Sequence, residues 1–200
     1  MSEIKLFNRW SFSAIKVEEP GLQRYISLDP VVVPKTGARY VGNRFHKSSV
    51  NIVERLVNKL MVTGHRSKKH IICSGHHTGK GATAMKIVEE AFDIVEQKTK
   101  QNPISVFIKA LENSAPREEI IAIEYGGARY PKAVEVAPQR RVDLTLRYMT
   151  QGAFHKSFGK KIPMSKALAG EIINAFENNL QGSTALSKKN ELERQSDSSR

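Results

Sequence analysis

Ile52, Val53, Leu56, Val57, Leu60 and Met61 recur at spacings of three and four, and a helix is the element that gathers such a pattern into one buried stripe. Ser48 or Ser49 stands ready as its N-cap, and Gly64 occupies the place of a C-terminal glycine. The same period returns further on. Ala84, Ile87, Val88, Ala91, Phe92 and Val95 make a stripe within 82–98, while Lys86, Glu89, Glu90, Asp93 and Glu96 keep to the outside. Asn102-Pro103 reads as an N-cap followed by proline at the first helical position, opening a helix that buries Ile104, Phe107, Ala110 and Leu111 and stops at Pro116. After Pro138, Val142, Leu146, Met149 and Ala153 fall on one side of a helix, with Arg140 and Arg147 opposite. A last strong helix, about 163–179, buries Leu168, Ile172, Ile173 and Phe176 ahead of Gly182.

Besides a polar stretch, His65 to Gly81, after the first helix, three segments fall outside this pattern. Residues 1–45 carry Pro20, Gly21, Pro30, Pro34, Gly37 and Gly42 between short apolar pieces, which predicts an irregular arm lying over something else. Residues 120–136 break the helical period and read as two strands around Gly126-Gly127. A lone hairpin is marginal in water, so this one must lean on the helices or project toward a partner. Residues 183–200 are very polar and suit a peripheral helix fading into a disordered Ser-rich tail. The expected fold is mainly α, a bundle of about six helices with one protruding β-hairpin and an irregular basic N-terminal arm. Its parts are an arm over 1–45, a helical domain over 46–182 and a polar C-terminal helix and tail over 183–200.

Thirty-two Lys and Arg against twenty Asp and Glu leave a net charge of +12. Solubility needs only about 2–8. A strong cationic excess suits a polyanion, because each neutralised phosphate releases condensed counterions. RNA, DNA and an anionic membrane surface all qualify. The single cysteine, Cys73, excludes an intramolecular disulfide and a Cys-rich zinc site. Charges run through residues 1–10, which is unlike a signal peptide, and no stretch approaches the ~18 apolar residues of a membrane span.

Position matters more than total charge. Between Lys35 and Lys80 the only acid is Glu54, and between Arg129 and Lys161 the acids are Glu135 and Asp143. The candidate phosphate-contacting residues are Arg39, Arg44, Lys47, Arg66, Lys68, Lys69, Lys80, Arg117, Arg129, Lys132, Arg140, Arg141, Arg147, Lys156, Lys160 and Lys161. Arg140-Arg141 open a helix, where cations meet the positive end of the dipole; a phosphate there would satisfy both the guanidinium groups and the first-turn amides. Tyr40, Phe45, Tyr130, Tyr148, Phe154 and Phe158 lie near these clusters, as stacking platforms for unpaired bases or as core and strand residues.

Catalytic patterns fail on spacing. Gly75 to Gly81 has three residues between its first two glycines and no Ser or Thr after Lys80, where a phosphate-binding loop needs four and a hydroxyl. His65, His70, His76, His77 and Cys73 match no familiar zinc spacing. The reading is a binding protein without enzyme activity, cofactor or metal. Two other classes stay open: a chromatin-like DNA-binding protein and a His-dependent RNA-processing enzyme.

Read in order, several segments resemble the small-subunit ribosomal protein seven family, in its archaeal and eukaryotic branch. They are the run Lys5 to Trp10, Arg44 to Lys47 leading into Ile52 to Leu56, Asn102-Pro103-Ile104, Glu112 to Glu119, Tyr125-Gly126-Gly127, Val134 to Arg141 and Glu191 to Arg194. The chain departs from the family pattern at His46 and Ala137 and over 65–81. The resemblance implies about six helices with a protruding hairpin, binding to the 3′ major domain of the small-subunit rRNA and a part in nucleating head assembly. It also implies a cytoplasmic ribosomal location, with exit-site tRNA, mRNA and neighbouring head proteins close by and no membrane.

Overall fold

The computed structural model describes residues 3–66, 69–73, 75–76 and 78–200. Among these the α-helices are α1 Pro20–Gln23, α2 Ile52–Leu60, α3 Gly81–Thr99, α4 Pro103–Ser114, α5 Pro138–Ser157, α6 Met164–Phe176 and α7 Thr184–Asp197. A short ladder pairs β1 His65–Arg66 with β2 Lys69–His70, and a longer one pairs β3 Glu118–Tyr125 with β4 Ala128–Glu135. Mainly-α architecture with a protruding hairpin is thus what the chain adopts. The small β1–β2 ladder lies in a stretch whose sequence announces only polarity.

Local chemistry sets most helix ends. Asn102 Oδ1 accepts from the Ile104 amide at 3.1 Å, with Pro103 at the first helical position of α4. Pro138 plays the same part at α5. The start of α2 differs from expectation: Ser48 and Ser49 close a 3₁₀ turn over His46–Ser49, so Asn51 becomes the cap, accepting from the Val53 amide at 2.9 Å.

Helix α6 is central, packed against α3, α4 and α5. Its buried side chains are largely small, Ala167, Ala169 and Ala175 around Leu168 and Ile172, which lets three neighbours approach. A chain of aromatic contacts extends the core outward: Trp10 meets Phe92 edge-on at 5.8 Å, and Phe92 meets Phe107 at 5.8 Å.

The arm is more than a cover. Leu6, Trp10, Phe12, Val17, Leu22 and Ile26 are buried in the common core. Acidic side chains hold it down: Asp93 pairs with Arg9 at 2.7 Å, Glu96 accepts from the Trp10 indole at 3.0 Å, and Glu112 accepts from the Glu18 and Glu19 amides at 2.6 and 3.0 Å. Helix α7 also outruns its expected tail, continuing to Asp197. Lys189 donates to the Asn113 carbonyl at 2.8 Å, and Glu193 accepts from the Arg117 amide at 3.1 Å, fastening α7 beneath the hairpin.

Candidate nucleic-acid interface

Two adjacent arginines at the start of α5 face opposite ways. Arg140 is exposed and makes a bidentate pair with Glu119 at the base of β3, both contacts 2.8 Å. Arg141 is only 8% exposed. Its Nη1 lies 2.7 Å from Glu19, its Nε donates to the Pro116 carbonyl at 3.0 Å, and its Nη2 donates to the Ala115 carbonyl. Successive helical residues are about 100° apart, so one turns outward while the next becomes a strut between arm, α4 and α5.

Further along the outward stripe of α5 come Asp143 and Arg147, at helical spacing from Arg140. They border a groove of about 340 Å³ whose other charged walls are Lys47, Arg55 and Lys59, with Tyr40 and Asn58 at its edge. Arg55 is 6% exposed, donating to the Tyr25 carbonyl at 2.7 Å and to Asp143 at 3.2 Å. Lys47 also hydrogen-bonds Asp143. Burial lowers the pKa of Lys59, and the neighbouring cations Arg147, Lys47 and Arg55 add to that against the single acid, Asp143. Burial pushes the Asp143 carboxyl up, but the Lys47 hydrogen bond and the charges of Arg55, Lys47 and Lys59 outweigh it and hold the pKa low. Such a groove favours an anion.

The remaining candidates divide by exposure. On the hairpin, Arg129 and Lys132 are exposed, with Arg129 3.5 Å from Glu124 on the opposite strand. The register puts Ile121, Ile123 and Tyr125 opposite Lys132, Tyr130 and Ala128 on one face, and Tyr125 is 82% and Tyr130 58% exposed. Arg39 and Arg44 are exposed on the segment before α2, where the Arg44 guanidinium lies over the Phe45 ring at 5.6 Å. Lys69, Lys80, Arg117, Lys160 and Lys161 are exposed, and Phe158 beside the last two stacks on Phe154 at 5.2 Å. Lys156 turns instead to the buried Glu171 and the Gly182 carbonyl. Lys68 and the Arg66 side chain lie outside the described residues, as does His77. Among the described residues no cluster of His, Cys, Asp or Glu is arranged to hold a metal ion, and no helix is long and apolar enough to cross a membrane.

The structure therefore brings Lys47, Arg140 and Arg147 together along α5, keeps Arg129 and Lys132 on the projecting hairpin, places Tyr40 at the groove, and adds Arg55 and Lys59. Arg55 and Lys59 had a sequence signal: two cations four apart, one helical turn, on the short helix α2.

Comparison with known proteins bears on this basic surface. The family described as Ribosomal protein S7p/S5e matches residues 22–200. The chain is 52% identical over 198 residues to the small ribosomal subunit protein uS7 of Nanoarchaeum equitans, covering 99% of this chain and 100% of that one. It is 47% identical over 190 residues to the protein of the same name from Methanosphaera stadtmanae, 95% of each, and 45% identical over 189 residues to that of Methanothermobacter thermautotrophicus, 94% of this chain and 95% of the other.

Proposed function

The chain belongs to the ribosomal protein S7p/S5e family, and from that premise we propose that it binds the 3′ major domain of the small-subunit rRNA, helps nucleate head assembly and turns its hairpin toward the exit-site tRNA and the mRNA path. It is a structural component of the small subunit of the cytoplasmic ribosome, an RNA-binding protein and not an enzyme. Its partners are rRNA and neighbouring ribosomal proteins.

The observation that carries this reading is the separation of charges. Asp93, Glu96 and Glu112 are engaged in holding the arm, and Glu171 accepts from the Ser183 hydroxyl and the Thr184 and Ala185 amides at the start of α7. Arg39 and Arg44 before α2, Arg140 and Arg147 along α5, and Arg129 and Lys132 on the hairpin stay at the surface. Such a surface neutralises phosphates and fixes docking register, while RNA shape supplies selectivity. The contact set we favour is Arg39, Arg44, Lys47, Lys69, Lys80, Arg117, Arg129, Lys132, Arg140, Arg147, Lys160 and Lys161. Arg141 is buried against Glu19 and two backbone carbonyls, and Lys156 turns inward to the fully buried Glu171, so both serve the fold.

The hairpin's part rests on Tyr125, Arg129, Tyr130 and Lys132, an aromatic and cationic tip suited to unpaired nucleotides. Titration into a 3′ major-domain transcript, with length-matched duplex DNA as competitor at two salt concentrations, tests the reading. Tight binding that survives competition, with a log–log salt slope of several phosphates, is expected. Equal affinity for both polymers would replace it with generic polyanion binding.

A further inference from the structure

We propose that the groove between α2 and α5 seats one phosphate group of the RNA backbone, with Lys59 as its principal ligand. The inference rests on the rRNA-binding reading and adds to it a specific site and a residue outside the contact set given above.

The geometry has three parts. Lys47, Arg55, Lys59 and Arg147 line a groove of about 340 Å³ in which Asp143 is the only lining carboxylate among the described residues. Asp143 is already engaged by Arg55 and Lys47. Lys59 has no carboxylate within ion-pair distance among the described residues, although it is half-buried rather than splayed into water. A surface lysine without a partner is ordinary, because water solvates it. A lysine drawn into a groove among three other cations is held at a cost in solvation and repulsion unless an anion joins it.

Arg55 and Asp143 act as positioning residues. The Arg55 guanidinium is fixed from behind by the Tyr25 carbonyl, and Asp143 orients both Arg55 and Lys47 at the groove floor. Tyr40 stands at the rim, its hydroxyl 3.2 Å from Asn58 Nδ2, and offers a further donor to a phosphate oxygen. The groove is open at the surface, as a continuous backbone requires. A phosphodiester suits it better than a small free anion, because a neighbouring phosphate would reach Arg140 along the same stripe of α5.

The test uses the full chain and the 3′ major-domain transcript. Lys59→Met keeps the stem packing and removes the charge, Lys59→Arg keeps the charge, and Lys98→Met, at an exposed position in the last turn of α3, is the control. Lys59→Met should bind roughly tenfold more weakly, the order of one lost charge-assisted hydrogen bond, with a salt slope smaller by about 1. Lys59→Arg should retain most of the affinity, and Lys98→Met should match the unaltered chain. In parallel, acylation of Lys59 in the unaltered protein, mapped by mass spectrometry, should be suppressed by the transcript and left unchanged by inorganic phosphate at equal phosphate concentration. Wild-type affinity and slope in a folded Lys59→Met, or Lys59 remaining reactive in the complex, would overturn the seat while the rRNA reading stands. Protection by inorganic phosphate alone would reassign the groove to a free anion. Failure of the unaltered chain to bind the transcript would overturn both.

Discussion

Arg141 Nη1 lies 2.7 Å from Glu19 Oε1, so a buried side chain of α5 is ion-paired with the N-terminal arm. Its exposed neighbour Arg140 meets a partly buried Glu119 at the base of the hairpin. Arg141→Met leaves Glu19 without its cation and two carbonyls without a donor. Loss of about 3 kcal/mol is expected from such a disruption, read as a lower urea midpoint, with rRNA affinity preserved in the folded fraction. Arg140→Met should show the reverse pattern: a stability change of about 0.5 kcal/mol or less, typical of an exposed pair, and weaker rRNA binding. Interchanged phenotypes would show that the two side chains have been assigned the wrong way round.

Asp143 makes the protein's stability depend on acid. Its folded pKa is held below the ordinary value of 3.8 by cations that outweigh its burial. The stability it contributes is present above the unfolded pKa and disappears as pH falls through the folded one. Urea midpoints for Asp143→Asn and the parent should therefore differ most near neutrality and converge below about pH 4. A constant difference across that window would mean that the substitution acts through packing.

Lys59 carries the opposite sign. Burial depresses its folded pKa below 10.5, so the fold disfavours its charged form. That cost is in force at neutral pH and is relieved as pH rises through the folded value. Lys59→Met should melt at a higher temperature than the parent at pH 7, with the gap narrowing in alkali, even as rRNA binding weakens. Stability exchanged for function is the pattern expected of a binding residue. A lower melting temperature would show that the ammonium supports the fold.

Gly152 lies in the middle of α5, where alanine ordinarily stabilises a helix by about 1 kcal/mol. Here the sign should invert. A Cβ at this position would stand 2.7 Å from Thr184 Cβ and 2.9 Å from Glu171 Oε1, at the start of α7. Gly152→Ala is expected to cost about 1–3 kcal/mol and to speed hydrogen exchange across the first turns of α7. Stabilisation instead would mean that α7 can shift away freely.

How much of this was legible beforehand depends on the range of the interactions involved. The cap at Asn102, the proline starts of α4 and α5, the stripe of α3 and the Gly126-Gly127 turn are local signals, and the fold keeps all of them. Even the misplaced start of α2 is a local matter, decided between a 3₁₀ turn and a helix over a few residues. The arm's breakers were visible, whereas the burial of Leu6, Trp10 and Leu22 was not, because their partners lie on distant helices. Likewise the polar sequence of α7 suggested a fraying tail, but its contacts with Asn113 and Arg117 order it.

The amino-acid sequence by itself determined the helical periods, the hairpin turn and the basic balance that calls for a polyanion, since each depends on residue types and their spacing alone. Tertiary structure decided that Arg140 faces water while Arg141 is buried, and that Lys47, Arg55, Lys59, Asp143 and Arg147 share one groove. The physical reason is that exposure and electrostatic environment depend on which distant elements pack over a residue.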